Sequence, residues 1–208
     1  FAFAFGGAAP ITRAAIFAAP LTEASRESAC VSRLSGPVAG SMPRDVRLKC
    51  DLPLLEKDAE DVFAIFSDEQ TTLDCGGYHA FDAMDEEYGR LMQKFAGQTR
   101  YSVVEKKTGR VVAVISMMDA GGLSGLGIEV APDARRKGYA REALAAVVRT
   151  YFEQTDTVLF TGGHYAYNTA SGALLKQLGF VYEGVEHKAM RHAERGPTDL
   201  VCYFLEKE

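Results

Sequence analysis

The chain changes character near Met42, and from there its apolar positions recur with two periods. "DVRLKCDLP" alternates and predicts a first strand. "EKDAEDVFAIFSD" places Ala59, Val62, Phe63 and Phe66 on one helical face, and "AFDAMDEEYGRLMQKFAG" repeats the device with Phe81, Met84, Tyr88, Leu91, Met92 and Phe95. "TRYSVVEKKTGRVVAVISMMDA" predicts a hairpin turning at Lys107-Thr108-Gly109. Its second arm, Val111 to Ile115, is continuously apolar and is expected to be buried on both faces. "GLGIEVAP" predicts a strand stopped by Pro132. After Gly138 a helix carries Ala143, Leu144, Val147, Val148, Tyr151 and Phe152 in register, and "TVLFTG" follows as a strand. "NTASGALLKQLG" is a short helix with Asn168 as N-cap and Gly179 as its stop. "FVYEGVEHK" and "LVCYFLEK" close the chain as strands. The order β-α-α-β-β-β-α-β-α-β-β predicts one α/β domain with a mixed sheet.

The first 41 residues show no lasting period, are rich in Ala, Gly, Ser and Pro, and are too interrupted for a membrane span. They read as a disordered leader or translated upstream sequence, with the functional domain at 42–208. The 208 residues are 47% hydrophobic and 25% charged, a soluble globular composition. The net charge of −5 argues against a non-specific nucleic-acid binder, so any basic site must be local. Cys30, Cys50, Cys75 and Cys202 form no CxxC pair and no Cys/His cluster at zinc spacing. They read as idle thiols in a reducing, cytoplasmic setting, with no metal site.

One segment conflicts with helix electrostatics. Arg135, Arg136 and Lys137 stand just before Gly138 and a helix start. That end already carries partial positive charge and favours anions. Helix amides, a glycine that lets the backbone approach, and flanking cations together make a phosphate site. The plainer alternative is a solvated basic turn. Neither GxxxxGK[ST] nor GxGxxG occurs, which argues against other nucleotide-binding folds.

"Arg135-Arg136-Lys137-Gly138-Tyr139-Ala140" resembles the R/Q-x-x-G-x-G/A pyrophosphate loop of the GNAT acetyltransferases. At the right distance, Asn168 to Phe180 resembles that family's N-x-x-S-x-x-x-L-x-K-L-G-F helix. The resemblance covers roughly Val46 to Glu206. It implies a single GNAT-like domain with a mixed, mostly antiparallel central sheet flanked by helices. Ser171, and the lack of a tyrosine, point within the family to the branch that includes ribosomal-protein-alanine N-acetyltransferases.

The implied function is direct transfer of acetyl from acetyl-CoA to a primary amine. The implied cofactor residues are the loop Arg135, Arg136, Lys137, Gly138, Tyr139 and Ala140, with Ile128, Val130 and Ala131 on a splayed strand, and Asn168, Ser171 and Lys176. Glu129 is the candidate general base, since an ammonium must lose a proton before it attacks. Strand alternation leaves open an outward-facing Glu129 paired with a surface cation. The Val130 N–H is placed to polarise the thioester carbonyl. Asn168 caps its helix and, by resemblance, contacts pantetheine. Ser171 is either the group that meets the leaving thiolate or a small surface residue, and Lys176 needs no role beyond an exposed lysine. Many family members carry a tyrosine seven residues after the Asn; here Leu175 stands there, so Ser171, water, Tyr165 or Tyr167 must substitute.

The acceptor wall is expected from the N-terminal helices, the loop "SDEQTTLDCGGYHAF" and the last hairpin. Asp74, Tyr78, His79, Asp82 and Asp85 would suit a cationic amine, or are simply a solvated face. His187 and His192 are candidates for proton transfer. The partners expected are acetyl-CoA and a peptide or small-molecule amine, with no nucleic acid or membrane, in a monomer or homodimer. The competing reading is a non-catalytic acyl-CoA sensor, which would keep the loop and dispense with the base.

Overall fold

The structure, a computed structural model, describes residues 45–50, 58–76, 80–96 and 99–208. The leader assigned to residues 1–41, with Cys30, and the acceptor candidates Tyr78 and His79 lie outside the described residues, as do the side chains of Leu91 and Phe95. The elements are β1 (Val46–Cys50), α1 (Ala59–Phe66), α2 (Glu69–Asp74), α3 (Glu86–Ala96), β2 (Thr99–Glu105), β3 (Val111–Ala120), β4 (Leu123–Val130), α4 (Tyr139–Gln154), β5 (Leu159–Tyr165), α5 (Thr169–Gln177), β6 (Val181–His192) and β7 (Gly196–Glu206). A turn of 3-10 helix at Pro132–Ala134 joins β4 to the basic loop.

Seven strands form one sheet in the order β1-β2-β3-β4-β5-β7-β6. Every pairing is antiparallel except β4 with β5. The fold is the expected single α/β domain with a mixed, mostly antiparallel sheet. β3 fulfils its apolar run: Val111, Val112, Ala113, Val114 and Ile115 are all buried, at 3% exposure or less. Each large aliphatic side chain so buried contributes about 1.5–3 kcal/mol.

Register assigns the faces. Lys49, Ser102, Val114 and Glu129 lie opposite one another across β1 to β4 and share one face. Lys49 Nζ reaches Asp58 Oδ2, just ahead of α1, at 2.5 Å, so α1 covers that face. Tyr101, Ile115 and Ile128 share the other face, where the Tyr101 and Tyr151 hydroxyls meet at 3.4 Å and place α4. α5 also lies there, with Leu175 packed on Gly162.

Two local expectations change. The loop "SDEQTTLDCGGYHAF" contains helix α2, whose first turn is capped by Asp68. The helix expected around Phe81 and Met84 begins only at Glu86, because Asp85 Oδ1 accepts from the amides of Glu87 (2.9 Å) and Tyr88 (3.1 Å) and caps it there. Phe81 and Met84 still pack, partly buried, against the core.

Candidate active site

The site starts where β4 and β5 part. Their parallel pairing covers Leu123 with Leu159, Ser124 with Phe160 and Gly125 with Thr161, and stops there, although both strands continue. The Ala131 amide bonds the Val112 carbonyl at 2.9 Å. By the alternation of an antiparallel ladder, the N–H and C=O groups of Ile128 and Val130 therefore turn away from β3, towards the gap.

At the end of β4 the chain enters the basic loop. Arg136 has φ 61° and Gly138 has φ 87°, both left-handed. For a non-glycine residue that conformation costs about 1–2 kcal/mol. Such strain collects at functional sites, and alternating handedness turns successive amides into an anion-binding concavity. The amides from Arg136 to Ala140 have no backbone acceptor among the described residues. Gly138 caps α4 without a side-chain bond, and a Cβ built on it meets nothing within 4 Å. The cradle is open where an anion would sit.

Two loop side chains face other work. The Arg135 guanidinium pairs with Asp68 Oδ2 and donates to Thr71 Oγ1 at 2.6 Å. Partial burial opposes ionisation of Asp68, but bonds from Arg135 and from the amide and hydroxyl of Thr71 outweigh it and hold the carboxyl below its usual range. The Tyr139 hydroxyl donates to Glu105 Oε1. Arg136 and Lys137 stay exposed.

Glu129 lies on the face covered by α1, one residue from the gap-facing Ile128 and Val130. Its Oε2 is shut off from solvent with no hydrogen-bond partner among the described residues. Burial raises its pKa, while Arg100 and its own amide pull the other way. Cys75, at the end of α2, feels its charge. The residue is exposed, yet burial of its thiol and then the carboxylates of Glu129 and Asp74 push its pKa well up.

The second motif folds as expected. Asn168 Oδ1 accepts the Ser171 amide at 3.1 Å, and Asn168 Nδ2 donates to the Asp74 carbonyl at 3.5 Å, tying α5 to α2. Ser171 is half-buried and Lys176 exposed. Leu175 is 5% exposed and belongs to the core, pressed on Gly162 on the α4 side of the sheet.

Across the gap, several candidates have structural duties. His192 is fully buried. Its Nδ1 accepts from the amides of Glu194 (3.1 Å) and Arg195 (3.2 Å), so its proton sits on Nε2 and faces the Leu73 carbonyl at 3.1 Å. Every ring nitrogen is used, which removes His192 from proton transfer. The Tyr167 hydroxyl donates to the same carbonyl at 2.6 Å, with its pKa raised to about 12 by burial and by Tyr165. Tyr165 is looser: its hydroxyl reaches the Arg191 carbonyl at 3.5 Å and lies by Gly76. His187 is exposed and pairs with Asp199, away from this cluster. The acidic wall is only partly free, since Asp85 caps α3 and Asp74 takes Gln70.

A family model described as "Acetyltransferase (GNAT) domain" matches residues 52–181. The chain belongs to the GNAT acetyltransferase family. A Bacillus subtilis (strain 168) relative named "Uncharacterized N-acetyltransferase YoaA" is 26% identical over 165 residues, covering 74% of this chain and 90% of that protein. A Bacillus anthracis GNAT-family acetyltransferase structure superposes with TM-score 0.69 at 20% identity, covering 79% of this chain and 96% of that one. The Vibrio fischeri ribosomal-protein-S5-alanine acetyltransferase gives TM-score 0.64 at 18% identity, with 79% and 94% covered. The Vibrio cholerae spermidine N-acetyltransferase, in complex with CoA and spermine, gives 0.62 at 16%, with 78% and 96% covered. These structures share the GNAT fold, and the alanine branch is one of several neighbours.

GNAT enzymes use acetyl-CoA and an acceptor amine, and this chain's open amide cradle and unpaired strand edge fit such an elongated, anionic molecule. Among the described residues, no helix is long and apolar enough to cross a membrane, and no group of three or more His, Cys, Asp or Glu could hold a metal. The sequence reading of the GNAT site missed Arg100, which is 7% exposed and acts on Glu129, and the Asp68–Arg135 pair. An arginine within a strand that also carries Tyr101, Val103 and Val104, and an Asp three residues ahead of a Thr, were the available signals.

Proposed function

We propose that this GNAT protein is an N-acetyltransferase that moves acetyl from acetyl-CoA to a primary amine, with Glu129 as general base. The observation that carries it is the buried Glu129 Oε2, without a hydrogen-bond partner among the described residues, on the strand whose neighbouring residues face the gap. The amides of Arg136 to Ala140 would hold the pyrophosphate, helped by Arg136 and Lys137. The free edge of Ile128 and Val130 would lie along the pantetheine arm, with Asn168 and Ser171 at the far side; Ala131, expected there from the resemblance, has its amide taken by the Val112 carbonyl. When bound, acetyl-CoA supplies the activated acetyl group.

Glu129 would take a proton from the incoming ammonium nitrogen, directly or through one water, and leave the amine lone pair free. The Val130 N–H would face the developing oxyanion. Leu175 is out of reach in the core, so the half-buried Ser171 hydroxyl or Tyr165 is the candidate to meet the departing sulfur. The relatives named for an alanine N-terminus and for spermidine set the two acceptor classes to try.

The test follows thiol release from acetyl-CoA with peptide N-terminal amines, polyamines and amino sugars, using wild type and Glu129→Gln. Loss of a general base should lower kcat by about a hundredfold or more. Because burial raises the pKa of Glu129, wild-type kcat/KM should climb with pH through a value above the ordinary carboxylate range, and the variant should lack that limb. Unfolded Glu129 ionises more easily than folded Glu129, so its burial costs stability as pH rises. Glu129→Gln should therefore melt higher than wild type at pH 8, with the gap closing in acid. Acetyl-CoA binding without turnover on any acceptor would replace this reading with that of a sensor.

A further inference from the structure

α2 has little to hold it by itself. It is 6 residues long, and its buried residues are Thr71 and Thr72, both polar. A helix that short is not stable alone, and apolar burial normally fixes such a piece. Here polar contacts do so at both ends. At its start, Arg135 pairs with the capping Asp68 and bonds Thr71 Oγ1 at 2.6 Å. At its end, the Leu73 carbonyl accepts from Tyr167 (2.6 Å) and His192 (3.1 Å), the Asp74 carbonyl from Asn168 (3.5 Å), and the Gly76 carbonyl from the Ala193 amide (2.7 Å). These partners come from three parts of the candidate site: the basic loop, the start of α5 and the last hairpin. Cys75, which follows α2, is near enough to Glu129 for that carboxylate to act on its thiol.

We infer that Arg135 is a strut rather than a phosphate ligand, and that Asp68 is a positioning residue through which the loop sets the acceptor wall above Glu129. This rests on the proposed transferase reading. An arginine committed to a half-buried carboxylate and a threonine hydroxyl holds α2 in one place. Releasing it lets the Leu73–Gly76 wall drift while leaving the amides of Arg136 to Ala140 as they were.

The full 208-residue chain is compared as wild type, Asp68→Asn, Arg135→Gln and the double variant. Asparagine caps a helix about as well as aspartate, so Asp68→Asn removes the charge pair and keeps the cap. Each single variant should raise acceptor KM about tenfold, the scale of one charge-assisted bond. Acetyl-CoA affinity should change less than about threefold, and the double variant should be no worse than the worse single, as for two residues of one interaction. A fall of about tenfold or more in acetyl-CoA affinity for Arg135→Gln, with acceptor KM unchanged, would make Arg135 a phosphate ligand and overturn the strut. Additive effects in the double variant would overturn it as well.

Hydrogen exchange needs no turnover and separates this inference from the transferase reading. Amides of Thr71 to Cys75 should exchange faster in both singles while those of β2 and β3 stay protected. Unchanged exchange there sinks the strut even if the enzyme is active. Faster exchange in a protein that acetylates nothing keeps the strut and sinks the transferase.

Discussion

Helices α4 and α5 both begin beside the gap in the sheet, and they begin in opposite ways. α5 satisfies its own start: Asn168 accepts the Ser171 amide and also reaches α2. α4 starts on a left-handed glycine with no side-chain cap, behind a strained Arg136 and an exposed Lys137. The first turn of any helix leaves amides to be satisfied by a side chain, water or a ligand. Where the protein supplies the acceptor, the start is structural. Where it supplies cations and strain instead, the start suits a ligand's negative charge, as the proposed acetyl-CoA site requires. The glycines tell the same story. Gly172 on α5 is needed for packing, since a Cβ there would lie 2.6 Å from His164 Nε2. Gly138 borders open space and is needed for its φ of 87°.

The largest effect should come from filling the open end. Gly138→Val forces a β-branched residue into left-handed backbone and crowds the cradle. Acetyl-CoA affinity should fall about a hundredfold or more, equivalent to about 2.7 kcal/mol. Calorimetric titration measures it, and an affinity within threefold of wild type would erase the distinction between the helix starts. Gly172→Ala should do the reverse. The His164 ring stacks on Tyr203 and its Nδ1 holds the Tyr165 carbonyl at 2.8 Å, so it cannot move cheaply. Overpacking should cost about 1–3 kcal/mol in denaturant unfolding, with acetyl-CoA affinity little changed.

Next is the cap itself. Asn168→Ala should cost about 1 kcal/mol, the usual value of a lost N-cap. Asn168→Asp restores the acceptor for the Ser171 amide but has no N–H for the Asp74 carbonyl. It should recover stability without recovering the tie to α2, read as fast amide exchange at Thr71 to Cys75. Equal recovery of both would mean that the 3.5 Å contact holds nothing.

What the sequence disclosed follows the same divide. The elements with a strong period or a strong cap were legible: the apolar β3, the amphipathic α4, and α5 with Asn168 and its following serine. The loop before α4 was legible as a motif, and Glu129 entered as a candidate from its apolar strand and the family resemblance. α2 was not legible, because a helix of 6 residues with buried threonines has no apolar stripe to display. The start of α3 was misplaced for a related reason: Phe81 and Met84 pack on the core at helical spacing without being helical, and the cap at Asp85 decides. His192 illustrates the limit on the chemistry. Its residue type invites a role in proton transfer, and only the two amides on Nδ1 and the carbonyl at Nε2 reveal a structural ring.

The smallest effect tests whether the α4 start really stores a conflict that the ligand relieves. Arg136→Asn keeps a residue type that tolerates left-handed backbone and removes one cation from the positive end of the helix. Both changes favour the protein without ligand, so its stability should rise by about 0.3–1 kcal/mol. Part of that gain is electrostatic and should shrink as salt is raised, because an exposed charge is screened over about 10 Å at 0.1 M. The same substitution takes a cation from the anion cradle, so acetyl-CoA should bind a few-fold more weakly, again less so in high salt. Opposite signs in one variant are what a ligand-directed helix start requires. If Arg136→Asn instead lowered stability, the arginine would be serving the fold, and α4 would differ from α5 only in how it caps itself.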